Sequence, residues 1–201
     1  MKNPIHKRIE RFETWQHLTF MLCICERMLP NFQLFCEVAY TKDDKRSNND
    51  KILQNILNLV WEHLTIKGAK INFENQLQKL EAIIPDPNEF DFYGVFPAED
   101  ACKAVAELLH SIIAGEHLEQ SILVSQISIS TIISYLEVVE DREFNEQELK
   151  ALPEIEQELD LQWWVYRELK ECEKRDVELL LTLKNQLRES GISNIGLKIT
   201  Q

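Results

Sequence analysis

Glycine and proline are scarce. Five glycines and six prolines in 201 residues are too few turn formers for a sheet-rich fold and favour long helices with few breaks. Basic residues are outnumbered, with 22 Lys and Arg against 34 Asp and Glu and a formal net charge of −12. Such a balance disfavours a nucleic-acid partner and an anionic membrane surface. A partner selected by charge would be basic. The familiar catalytic signatures are missing: no P-loop, G-x-G-x-x-G, H-E-x-x-H, G-x-S-x-G or paired C-x-x-C. No long apolar leader is visible either. The first apolar run, Leu18 to Cys25, ends at Glu26-Arg27 without a cleavage site and is too short to span a bilayer. The five cysteines are odd in number and fit no disulfide framework. Cys23 and Cys25 would point to nearly opposite sides of a helix and cannot chelate one metal together. The expectation is reduced thiols in a cytoplasmic protein, with no membrane segment and no cofactor.

What is present is helical spacing. Advancing about 100° per residue, Ile5 to Leu29 is apolar on two sides, as in a helix sandwiched in a core. Pro30 should end it, leaving Phe32–Tyr40 as a second piece. Leu53, Ile56, Leu57, Val60 and Leu64 make an amphipathic helix ending near Gly68. Asn72 caps a further helix, and Pro97 with Glu99 and Asp100 marks the start of one closing at Gly115. Leu118 to Val139 keeps a seam of alternating three and four spacings, with apolar residues on its other faces, so this helix is placed centrally. Its β-branched stretch Gln126–Thr131 also allows a strand; the sustained seam decides for helix. Asn145 and Glu148 are spaced as a capping box. A last long helix spans about Glu154 to Glu189, and an extended tail follows from about residue 190.

Five constellations carry polar or aromatic chemistry. Glu107 and His110 lie one turn apart, as metal ligands of helical bundles do, but opposite their helix's apolar stripe, so an exposed pair is expected. Glu173 and Asp176 fall inside the last helix's apolar stripe. Ionised there they need a partner, and Arg27, His63 or hydroxyls such as Ser125 and Ser128 could answer them. The expectation is a buried polar cluster of Glu173, Asp176, Arg27 and His63. Phe90, Phe92 and Tyr93 crowd the break at Pro85–Phe96 and either roof the core or line a groove. Trp163 and Trp164 project away from the main stripe and offer an interface, with a homodimer as one use of it.

Several segments, in order, carry a likeness to known proteins. They are Trp15-Gln16-His17, Cys25-Glu26-Arg27-Met28 with Pro30-Asn31, and Trp61-Glu62 with Leu64-Thr65. Asp91-Phe92-Tyr93-Gly94-Val95 with Pro97-Ala98, Asp100-Ala101-Cys102 and Ser193-Asn194-Ile195-Gly196 follow. The chain resembles the YjaG-like family of small bacterial cytoplasmic proteins, a domain of unknown function, over essentially its whole length. The resemblance implies one multihelical domain and brings no activity with it. The resulting expectation is an all-α fold, one domain over 1–201, as an up-and-down or irregular bundle of about seven or eight helices. The leading functional reading is a non-enzymatic interaction or regulatory protein with a protein partner. The rival is a small-molecule- or metal-binding helical-bundle enzyme built on the Glu173/Asp176 carboxylates.

Overall fold

The computed structural model describes residues 3–198, so the expected domain bounds at residues 1 and 201 lie outside the described residues. Nine α-helices occur among them: α1 (Ile5–Ile9), α2 (Thr14–Ala39), α3 (Asn49–Thr65), α4 (Phe73–Glu81), α5 (Val95–Ala114), α6 (Leu118–Glu140), α7 (Glu146–Leu149), α8 (Pro153–Lys170) and α9 (Val177–Ser190). The sole strand-like pairing among the described residues is one antiparallel bridge, Ile192 to Lys198. The fold is all-α, as the scarcity of turn residues and the helical spacing predict.

Helix α2 is the hub. It packs on α3, α5, α6, α8 and α9, and 18 of its 26 residues are buried. Its two-sided apolar pattern predicts this role, but its bounds differ from expectation. The chain breaks before it, where Glu13 turns extended and exchanges hydrogen bonds with Gln16 in a capping box. It does not break at Pro30, which sits buried inside the helix. Proline there forgoes one backbone hydrogen bond and costs about 3 kcal/mol in an isolated helix. Burial of Met28, Leu29, Phe32, Phe35 and Cys36 around it offsets that cost, at roughly 1.5–3 kcal/mol for each large apolar side chain.

Helix α6 is helical through Gln126–Thr131 but is not central. It packs on α5, α2 and α8, while Leu123, Val138 and Val139 are exposed. By length and mean hydropathy alone α6 could cross a membrane. Within the fold its buried Ser121, Ser125, Ser128 and Thr131 all hydrogen-bond to polar side chains of other elements.

The other large departure is the last helix, which is two. Five of the six residues from Glu171 to Asp176 are charged, and Asp176 accepts the Glu178 and Leu179 amides as the N-cap of α9. A carboxylate satisfying two otherwise free amide donors at a helix start stabilises the break and resets the register. Helix α5 starts at Val95, two residues before Pro97, and α3 ends at Thr65, short of Gly68, but three other caps fall as the sequence predicts. Asn72 accepts the Asn75 amide, Asn145 and Glu148 form the capping box, and Gly115 closes α5 in the left-handed region at φ 74°.

Candidate functional site

The most distinctive surface feature is an apolar hollow of about 210 Å³. It forms where α2, the loop before α5, α6 and the C-terminal tail meet. Helix α2 contributes Asn31, Leu34, Phe35 and Val38, one stripe at spacings of three, one and three. The loop and the first turn of α5 add Phe92, Tyr93, Gly94 and Pro97, α6 adds Tyr135, and the tail adds Ile195 and Leu197. Phe92 stacks on Phe35 with centroids 5.8 Å apart. Phe90 meets Phe35 edge-on at 4.9 Å and forms the wall behind. Gly94 makes the close approach possible, since a Cβ there would stand 2.9 Å from the Phe92 ring.

Tyr93 separates this hollow from a second one of about 480 Å³, lined by Phe96, Glu99, Asp100, Lys103, Ser134, Glu137 and Val138. The Tyr93 ring lies 5.5 Å from Phe96 and 6.1 Å from Tyr135. Burial, then the nearby Asp100, Tyr135 and Glu137, push its hydroxyl up to about 12. Thr131 donates to the Asp100 carboxylate at 2.8 Å. Burial raises the Asp100 carboxyl above its ordinary range. The rims stay apolar and open: Val38 is 62% exposed, Phe96 47% and Val138 56%.

The tail wall is held by a buried polar chain. Asn31 Nδ2 donates to Asn194 Oδ1 at 2.8 Å, and Asn194 Nδ2 donates to the Ser128 carbonyl at 3.0 Å. Ser128 and Gln162 both donate to Glu158 Oε1, at 2.8 and 3.0 Å. Ser125 donates to Gln162 Oε1 at 2.7 Å, and His6 and Asn3 join at Ser125. Arg27 Nη1 donates to the Ile192 carbonyl at 2.7 Å. Its Nε stands 3.6 Å from Glu158 Oε2, with the two side chains 11% and 0% exposed. That distance is an ion pair without a hydrogen bond, and both atoms lack any hydrogen-bond partner. Burial raises the Glu158 carboxyl above its ordinary range, against the pull of Gln162, Arg27 and Ser128.

The buried cluster expected of Glu173, Asp176, Arg27 and His63 does not form. Glu173 and Asp176 are exposed, because the helix that should have buried them ends at Lys170 and Asp176 caps the next one. No carboxylate pocket exists there. A buried acid does occur, paired with the expected Arg27 and with Ser128, but it is Glu158. The signal was in the sequence: Ile155, Glu158, Gln162, Val165 and Leu169 keep one face of α8, and all five are buried. His63 does not join the cluster. It lies edge-on to Phe73 at 5.2 Å, and burial followed by Arg175 lowers its pKa. Trp163 and Trp164 are half-buried against their own core, Trp163 edge-on to Tyr166 at 5.5 Å. Glu107 and His110 are 3.9 Å apart on the outside of α5. Among the described residues no three His, Cys, Asp or Glu side chains converge as a metal would need. Leu34, Val38, Tyr135, Ile195 and Leu197 were missed because they become one surface only after four elements meet.

A second polar knot ties α9 to the hub. Arg188 holds Glu26 through Nη2 at 2.6 Å and through Nε at 3.1 and 3.2 Å. The Trp61 indole donates to the same carboxylate at 2.8 Å.

A family model described as a protein of unknown function, DUF416, matches residues 4–198. An uncharacterised protein of Haemophilus influenzae is 59% identical over 201 residues, all of both chains. An uncharacterised YjaG protein of Escherichia coli is 50% identical over 202 residues, again covering both chains completely. The crystal structure of a DUF416 family protein from Shewanella baltica superposes with a TM-score of 0.88. It has 33% identity and covers 98% of this chain and 100% of that one.

Proposed function

This chain belongs to the DUF416 family of unknown function, and from that premise we propose that it is a non-enzymatic interaction or regulatory protein of the cytoplasm. The partner seats apolar side chains in the hollow between α2, Tyr93, Tyr135 and the tail. One observation carries the reading: the aromatic-lined hollow opens at exposed Val38 and adjoins, across Tyr93, a second hollow with exposed apolar walls at Phe96 and Val138. Water-exposed apolar surface of that extent gains free energy when a partner covers it, whereas an exposed apolar residue that lines neither hollow, such as Leu123, 40% exposed, is not part of the site. The hollow is preformed by packed rings and the polar chain behind Asn194, which lowers the ordering cost of binding.

Photo-crosslinking in growing cells tests this. A benzophenone amino acid placed at Val38 or at Phe96 should give one discrete adduct of the same added mass. The same group at Leu123, exposed on α6 away from both hollows, should give none. Equal labelling at all three positions would sink the proposal. Self-association through Trp163 and Trp164 concerns a different face, on α8, and stays a separate proposal. Sedimentation velocity at micromolar protein should show a dimer that Trp163→Ser with Trp164→Ser dissolves, and a monomeric wild type ends it.

A further inference from the structure

Two hollows side by side, one apolar and one acidic, share Tyr93 as a common wall. Three carboxylates line the second, Glu99, Asp100 and Glu137, against a single ammonium, Lys103. Lys103 is already engaged, at 3.0 Å from Glu99 and 3.8 Å from Asp100. Among the described residues Lys103 is the one cation lining this hollow and is paired with Glu99 and Asp100, not with Glu137, whose Oε1 accepts the Phe144 amide at 3.5 Å. The hollow is therefore short of positive charge. Its other walls, Phe96 and Val138, are apolar and exposed. A methylene stem could lie along such walls while the charged head reaches the acids, as long cationic side chains do. The chain as a whole carries −12, which steers cations toward it and repels acidic competitors.

We infer that the partner is a segment of another protein in which a lysine or arginine follows the apolar anchor, the anchor filling the apolar hollow and the cation entering the acidic one past Tyr93. The inference rests on the groove reading above and adds the partner's charge to it. A free metal ion does not fit, because no three acidic, His or Cys side chains converge there. A second copy of this acidic chain is a poorer match than a basic segment.

Short random peptides displayed on phage, panned against the full chain, provide the probe. Counter-selection uses Leu34→Asn with Val38→Gln, which removes apolar contact without changing charge. The pool retained by wild type and lost on this variant should carry an apolar residue with Lys or Arg close by. Its best peptide should bind less tightly as salt rises. Glu137→Gln keeps an acceptor for the Phe144 amide and should weaken that peptide about 2- to 5-fold, the range of a solvent-bordered ion pair. Glu137→Lys should weaken it further, with the melting temperature of the Gln variant unchanged. A wild-type-specific pool without basic residues, or binding indifferent to salt and to Glu137→Lys, overturns this inference and leaves the groove reading standing. No pool that distinguishes wild type from the Leu34/Val38 variant removes the groove reading and the inference with it.

Discussion

Replacing Arg27 by Met should destabilise the fold by about 3–5 kcal/mol at neutral pH, the scale for a buried ion pair stripped of one partner. Glu158 would be left with no exposed surface and no opposing charge. Ser128 and Gln162 would still donate to its Oε1, but Oε2 would face nothing. Glu158→Gln should cost less. The Gln carbonyl still accepts from Ser128 and Gln162, and Arg27, at 11% exposure, retains the Ile192 carbonyl and a path to water. The double variant should recover most of the Arg27→Met loss, because a neutral amide no longer needs the guanidinium. Urea unfolding of the four proteins reads this directly. An additive double variant would mean that the two side chains are not coupled. Acidification supplies an internal control. A carboxyl whose native pKa is raised keeps its proton longer folded than unfolded, so its penalty is fully present above the folded pKa and fades as pH falls through it toward the ordinary value of 4.5. The Arg27→Met deficit should therefore shrink on moving from pH 7 toward pH 5.

That ion pair also shows where sequence reasoning stops. Helix existence was legible because spacing and caps are local: Asn72, Gly115 and the Asn145–Glu148 box all sit where their residue types require. A buried carboxylate in the C-terminal helices, with Arg27 and a serine of α6 as partners, was legible as a type of interaction. Its address was wrong by a register. Reading one helix through Cys172–Asp176 moved Glu173 and Asp176 onto the apolar stripe, whereas a cap at Asp176 ends the old phase and begins a new one. Pro30 erred in the opposite direction, since a local breaker was overridden by burial on all sides of α2. The hollow was half legible. Phe92 and Tyr93 announced a groove or a roof, and Phe90 took the roof while the other two took the groove. Its remaining walls come from α2, α6 and a tail that is docked by Asn194, a tertiary contact that no local pattern encodes.

The wild type should lose stability on acidification mainly through His17. This side chain is buried in α2, with Nδ1 2.9 Å from Ser121 Oγ and its ring stacked 6.2 Å from His117. Burial first, then His117, lowers its pKa from 6.5 to about 4. His117 in turn has Nδ1 2.7 Å from Ser111 Oγ, and burial lowers it as well. A histidine that must be neutral when folded binds its proton more readily unfolded, so stability rises with pH between about 4 and 6.5 and falls as pH drops through that window. At about 1.4 kcal/mol per unit, His17 alone withdraws roughly 2 kcal/mol by pH 5. Histidines 6, 63 and 117 act in the same direction, and the Glu158 effect opposes them. His17→Asn separates the contributions. Its amide can still meet Ser121 and carries no proton in this range, so its stability at pH 7 drops for lost ring packing with Phe12, 5.7 Å away. Its further loss between pH 7 and pH 5 should then be smaller than the wild type's by about 2 kcal/mol. Parallel urea titrations at the two pH values measure the difference. Identical pH dependence in the two proteins would show that His17 accepts a proton in the folded state at no cost, and that the buried Ser121 contact does not select the neutral ring.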